Sequence, residues 1–182
     1  MRRLIFVILA LLGSGNAVAD ATAIINVNVI PMSTETVLES RAALRDLVTD
    51  YCIGFDTRDT DRFMRIWHDD ARWDIGPPFG SYTGAESIRR AVESELYPVW
   101  RETHHLASNL HVEFLDADHA RGICNVDCMG ATRDDVVQMI SASYKDRFER
   151  RDGVWRIAHR EVTIHYFNPI PGAQMTPPAP GA

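Results

Sequence analysis

The chain changes its hydrophobic spacing several times along its length. Leu4–Leu12 is an unbroken apolar run behind Arg2 and Arg3, broken by Gly13–Asn16 and followed by the small-x-small triplet Ala17-Val18-Ala19. That layout predicts a secretory signal (residues 1–19) cleaved after Ala19, hence a secreted or periplasmic protein. Such a short run spans about 14 Å as a helix, against a hydrocarbon core of roughly 30 Å, so no stable membrane anchor is expected. From Asp20 to Met32, Ile25, Val27 and Val29 alternate with Asn26 and Asn28, as in an edge strand or a loose arm. Thr36 and Glu39 then have capping-box spacing, and Ala43, Leu44, Leu47, Val48, Tyr51, Cys52 and Phe55 follow as a helical stripe. They predict a long first helix. A short second helix starts near Thr60 with Phe63, Ile66 and Trp67. Ala71, Trp73 and Ile75 alternate as a strand that Pro77-Pro78 stops. A third helix follows Gly84, carries Ile88, Val92 and Leu96, and ends at Pro98.

Beyond this point the period shortens. His105–Leu115, Ala120–Met129, Val136–Phe148 and Val154–Tyr166 read as strands, and Arg151-Asp152-Gly153 is a hairpin signal. Three helices followed by four long antiparallel strands predict a single α+β domain over residues 33–168. Helices packed across one face of a curved sheet leave a pocket between the layers, the place to seek a ligand. The Pro/Gly/Ala-rich segment 169–182 reads as a tail with no means of joining the sheet.

Composition narrows the chemistry. Of 182 residues, 163 remain after cleavage, and the formal charge of −6 becomes −8 as Arg2 and Arg3 leave. An acidic chain has no electrostatic reason to bind nucleic acid. Lys145 is the sole lysine and lies in a polar stretch, so a Schiff base is not indicated. Cys52, Cys124 and Cys128 are too few and too irregular for a disulfide framework, and act as small apolar residues. The histidines lack metal-ligand spacing, and a metal is not expected.

Asp56 follows Cys52 by one turn and falls at the edge of the first helix's stripe, where a carboxylate must be paired or neutralised. The alternative is a solvated C-terminal Asp. His104 and His105 open the first long strand, and alternation leaves open which one faces inward. Leu106, Leu110, Val112 and Phe114 share a phase with His104, whereas Ala107, Asn109 and His111 share one with His105; a bulge would exchange them. Arg160 is in phase with Ala158, Val162 and Ile164, so it needs an anionic partner or ligand. Asp127, in phase with Ile123, Asn125 and Met129, could be that partner. Tyr51 sits on an apolar stripe, ordinarily a core position.

A resemblance covers Arg41 to about Pro178. Ile53-Gly54-Phe55-Asp56, Ile66–Trp73, Asn109–Phe114 and Phe148–Trp155 resemble the hexachlorocyclohexane dehydrochlorinases, which belong to the SnoaL-like branch of the nuclear transport factor 2-like superfamily. The resemblance implies a cone-shaped fold, an Asp that orients a His base, here Asp56 and His105, and a last-strand Arg on the leaving-group side, here Arg160. Where those enzymes commonly carry Lys, this chain has Tyr51. Tyr-x4-Asp with a later His, Asp and Arg is similar to bile acid 7α-dehydratase, which adds Asp127 to the candidates. It also favours loss of water over loss of halide. Trp73, Trp100, Phe55 and Cys52, with Leu47 and Met139, are candidate walls for a hydrophobic cyclic substrate. The expected activity is a cofactor-independent β-elimination. The alternatives are a dehydrochlorinase, an isomerase resembling ketosteroid isomerase, and a non-catalytic ligand-binding or assembly module. Relatives are commonly trimers, which implies a homotrimer.

Overall fold

The computed structural model describes residues 34–176. The expected signal and arm, and residues 177–182 of the tail, lie outside the described residues. Helix α1 (Thr34–Asp56) begins two residues ahead of the expected capping pair. Its stripe residues Leu44, Val48, Tyr51, Cys52 and Phe55 recur at three- and four-residue intervals and are all buried, as one helix face must be when it packs on a sheet. Helix α2 (Thr60–Met64) is capped by Asp59, whose carboxylate accepts the Arg62 N–H at 3.0 Å. It is shorter than its apolar spacing predicts. The Ile66 carbonyl already accepts the Ile157 N–H at 2.7 Å, drawing the chain into the sheet, and Trp67 opens strand β1 (Trp67–Gly76). Where the helices cross, Gly54 makes room for Phe63; a Cβ there would lie 2.7 Å from the Phe63 backbone nitrogen.

A strand that alternation did not reveal, β2 (Gly80–Thr83), returns antiparallel to β1 with Tyr82 opposite Trp73. Helix α3 (Ala85–Ala91) runs on into a wider π turn at Val92–Leu96, and Ile88, Val92 and Leu96 are buried. The four long strands follow: β3 (Trp100–Phe114), β4 (His119–Thr132), β5 (Val137–Arg151) and β6 (Val154–Pro169). The six strands are ordered β2-β1-β6-β5-β4-β3, antiparallel throughout except for the parallel β1/β6 pair. The final strand extends past Tyr166 to Pro169, and the Ile170 N–H still donates to Val137 at 2.8 Å. The start of the tail therefore does join the sheet, because strand β5 is long enough to pair with it.

Strand β3 settles its own phase. Between Ser108 and His111 it carries one residue more than β4. Asn109 takes up the excess at φ 50°, and its side-chain oxygen accepts the Asn125 N–H at 3.0 Å. Ahead of this bulge Thr103, His105 and Ala107 turn towards the helices; beyond it Leu110, Val112 and Phe114 do. His104 and Leu106 are left on the outer face, Leu106 with 72% of its surface exposed. The interior is packed solid at one end, where Phe114 meets Trp155 at 6.0 Å and the Trp155 indole donates to Ser40 at 3.1 Å. At the other end the layers part.

Candidate active site

The opening between the layers is an apolar cavity of about 620 Å³, counting its mouth. Phe55, Trp73, Ile75, Phe79, Trp100, Ile140, Ile164 and Phe167 supply most of its wall, and the polar groups on it are Tyr51, Thr103, His105, Cys128 and Tyr144. Trp100 is seated over Gly130, where a Cβ would come within 2.8 Å of its ring.

Asp56 is the last residue of α1. A carboxylate there faces the negative end of the helix dipole, so the position needs donors from elsewhere. The start of β3 provides three. The Thr103 hydroxyl and the His105 Nδ1 donate to Oδ1 at 2.8 and 2.5 Å, and the His105 backbone N–H donates to Oδ2 at 2.7 Å. Burial raises the Asp56 pKa, but these bonds from His105 and Thr103 outweigh it and hold the group below the usual carboxylate range. For His105 the balance runs the other way. Burial disfavours the charged ring, yet the Asp56 carboxylate and the sulfur of Cys128, directly across the β3/β4 ladder, raise it to about 9. An ionised carboxylate can only accept, so the Nδ1 proton belongs to this bond and Nε2 is left for the cavity. The ring is held at its edges by Phe55 and Tyr51, with centroids 5.4 and 6.2 Å away.

Arg160 points inward but not into the cavity. Its side chain is fully buried, and Nε and Nη2 each donate to Asp146 at 2.7 Å, the residue opposite it on β5. The guanidinium lies over the rings of both Tyr51 and Tyr144, with Cζ 4.3 and 4.2 Å from their centroids. Its Nη1 is buried with no hydrogen-bond partner among the described residues. Burial works against the charge and Asp146 more than restores it, raising Arg160 further. Burial likewise pushes the Tyr51 and Tyr144 phenols well up, so both stay protonated.

Several expected wall residues lie elsewhere. Asp127 is exposed on the outer face of β4, because the phase that buries Val126 and Cys128 turns it away; it pairs neither with Arg160 nor with the cavity. Met139 is 38% exposed on the outer face of β5 for the same reason. Cys52 is buried but faces a separate groove between α1 and β3, and burial pushes its thiol up to about 12. Leu47 packs half-buried against the core without reaching the cavity. Tyr51, Phe55, Trp73, Trp100 and His105 do line it. Thr103, Tyr144 and Asp146 were missed. Tyr144 and Asp146 share a phase with Ala142 and Phe148 on β5, and that alternation was the signal available. Among the described residues, no group of three or more His, Cys, Asp or Glu is placed to hold a metal.

Helices laid on a curved six-stranded sheet, with a His–Asp pair on the wall of an apolar cavity, define an α+β cone of the nuclear transport factor 2-like class. The chain belongs to the SnoaL-like domain family, whose model matches residues 36–161. It is 39% identical over 142 residues to hexachlorocyclohexane dehydrochlorinase 1 of Sphingobium indicum, covering 78% of this chain and 92% of that protein. The γ-hexachlorocyclohexane dehydrochlorinase of the same species is 38% identical over the same share of this chain and 90% of its own. The crystal structure of a LinA-type3 hexachlorocyclohexane dehydrochlorinase from Novosphingobium barchaimii LL02 superposes with a TM-score of 0.76 at 37% identity, covering 80% of this chain and all of that one. This kinship makes the chain an enzyme of the lyase type.

Proposed function

We propose that the protein catalyses a cofactor-independent β-elimination on a hydrophobic cyclic molecule, with His105 as base and an oxygen as the leaving group. The observation that carries this reading is the 2.5 Å contact between Asp56 and His105 on the wall of an apolar cavity. His105 Nε2 removes the proton from carbon, and Asp56 fixes the tautomer and steadies the imidazolium. The C–H electrons form the new double bond as the C–O bond breaks. Tyr51 gives its proton to the departing hydroxide, and water forms. The proton on His105 then returns to Tyr51 through that water. Arg160 and Asp146 act as positioning residues, since Arg160 sits behind the two tyrosine rings rather than against the ligand.

Departure of chloride is the second reading, favoured by the names of the relatives. Chloride needs no proton, so the His105 proton would pass to solvent. The two are separated by offering purified protein a cyclic β-hydroxyketone and hexachlorocyclohexane, following enone absorbance and free chloride. If His105→Ala turns over either substrate as fast as the parent, the base is misassigned.

Two further proposals concern the setting. Residues 1–19 direct export and are removed, which mass spectrometry of the secreted protein would test. The mature chain forms a homotrimer. The exposed Leu106, Met129, Met139 and Tyr166 support self-association, for strand register gathers them on the outer face of the sheet. Light scattering that returned a monomeric mass would remove the trimer.

A further inference from the structure

Expulsion of one hydroxide asks for one proton donor, and Tyr51 is enough. The polar end of the cavity nevertheless holds two phenols. Tyr144 on β5 lies beside Tyr51 with ring centroids 5.2 Å apart and planes at 66°. Both rings line the cavity, and both cover the same guanidinium. Arg160 does not reach the cavity, so what a ligand meets at that end is a pair of neutral hydroxyls backed by a buried cation. Placed over aromatic rings, the cation draws electron density from them and strengthens each O–H as a donor. Burial opposes ionisation of both, so neither becomes an acceptor-only phenolate in the resting site. The Tyr144 hydroxyl also stands where it can donate to the Tyr51 oxygen.

We propose that Tyr144 is a second donor of the site, and that Tyr51 and Tyr144 form a two-hydroxyl cradle for an oxygen atom of the ligand, either a hydroxyl or a carbonyl. An oxygen with two lone pairs satisfies both donors at once, which a hydrocarbon of the same shape does not. As Tyr51 releases its proton, the Tyr144 hydroxyl turns onto the phenolate and stabilises the charge formed there. The inference rests on the elimination reading for its place in the reaction, but the ligand chemistry it assigns stands without turnover.

The test is equilibrium binding of 2-naphthol and of naphthalene, read by fluorescence, to the full mature protein, Tyr144→Phe, Tyr51→Phe and the double variant. Each substitution removes a single oxygen and keeps the ring over Arg160; melting curves check that the fold is retained. The parent is expected to prefer 2-naphthol to naphthalene. Each single variant should lose about five- to tenfold in 2-naphthol affinity, the worth of one neutral hydrogen bond, with naphthalene unchanged. Equal 2-naphthol binding by the parent and Tyr144→Phe overturns the proposal, as does a parallel loss for naphthalene, which would mean a packing role. Should a variant fail to fold, the parent alone decides: no preference for 2-naphthol over naphthalene overturns the cradle. If the discrimination holds but no alcohol is dehydrated, the cradle stands and the reaction falls. If dehydration is found and Tyr144→Phe alters neither binding nor kcat, the reverse is true.

Discussion

Replacing Asp146 with Ala strands a full positive charge inside the protein. Asp146 and Arg160 have no exposed side-chain surface, and the two 2.7 Å bonds between them satisfy one edge of a guanidinium that also lies over the Tyr51 and Tyr144 rings. Arg160 cannot escape by losing its proton, since its ordinary pKa is already above 12 and burial beside Asp146 holds it higher. Among the described residues Nη1 already has no hydrogen-bond partner, so no spare acceptor stands by for the two donors set free. Removing one partner of a buried pair costs about 3–5 kcal/mol. For a domain of this size each kcal/mol moves Tm by about 2–4 °C, giving a fall of roughly 6–20 °C. Urea unfolding followed by circular dichroism measures it, as a lower midpoint at unchanged slope. The control is Asp146→Leu with Arg160→Met, which removes both charges and should recover most of the loss, because a buried ion pair is worth little more than an apolar pair of like volume. The reasoning fails if Asp146→Ala costs under about 1 kcal/mol, or if the double variant is no more stable than the single one.

Activity should depend on pH through His105. Its pKa of about 9 means the ring is protonated at neutral pH, and only the neutral form can take a proton from carbon, so kcat/KM should climb with pH, reach half its limit near 9 and level above it. Asp56→Asn removes the charge that raises the ring and should move that limb downward; a profile flat from pH 7 to 9 in the parent would be incompatible with this geometry. Tyr51→Phe should lower kcat for an oxygen leaving group by about 10²–10⁴-fold, the usual range for general acid catalysis, while leaving any chloride release within a few-fold. Comparable losses for both leaving groups would show that Tyr51 shapes the cavity instead. Gly54→Ala drives a methyl against the Phe63 backbone at 2.7 Å and should destabilise by about 1–3 kcal/mol, checked by the same urea melts.

The periods of the chain were enough to foresee the helices and the four long strands, because each element buries one face and its spacing records which. The failures share a cause: they depend on register, which has no local signature. Alternation puts Asp127 and Asp146 equally within reach of Arg160. Only the pairing of β5 with β6, shifted at Ser141/Ala142 and again at Arg147/Phe148, brings Asp146 opposite it. His104 and His105 could not be told apart because a single added residue near Asn109 reverses the phase that the downstream apolar set implies. Strand β2 is short and half-exposed, so it leaves little apolar pattern. The contact between Asp56 and His105 joins a helix end to a strand start 49 residues away, and spacing within either element says nothing about it. There the family resemblance, not the periodicity, named the pair.

The bulge at Asn109 divides β3 into two lengths whose inward faces are set independently. The length that presents Thr103 and His105 answers to the ligand; the length that presents Val112 and Phe114 answers to the core. Substitutions in the first can therefore accumulate as substrates change without disturbing the packing of the second. A deletion at the bulge would undo that freedom in one step, placing His104 on the cavity wall and His105 in solvent.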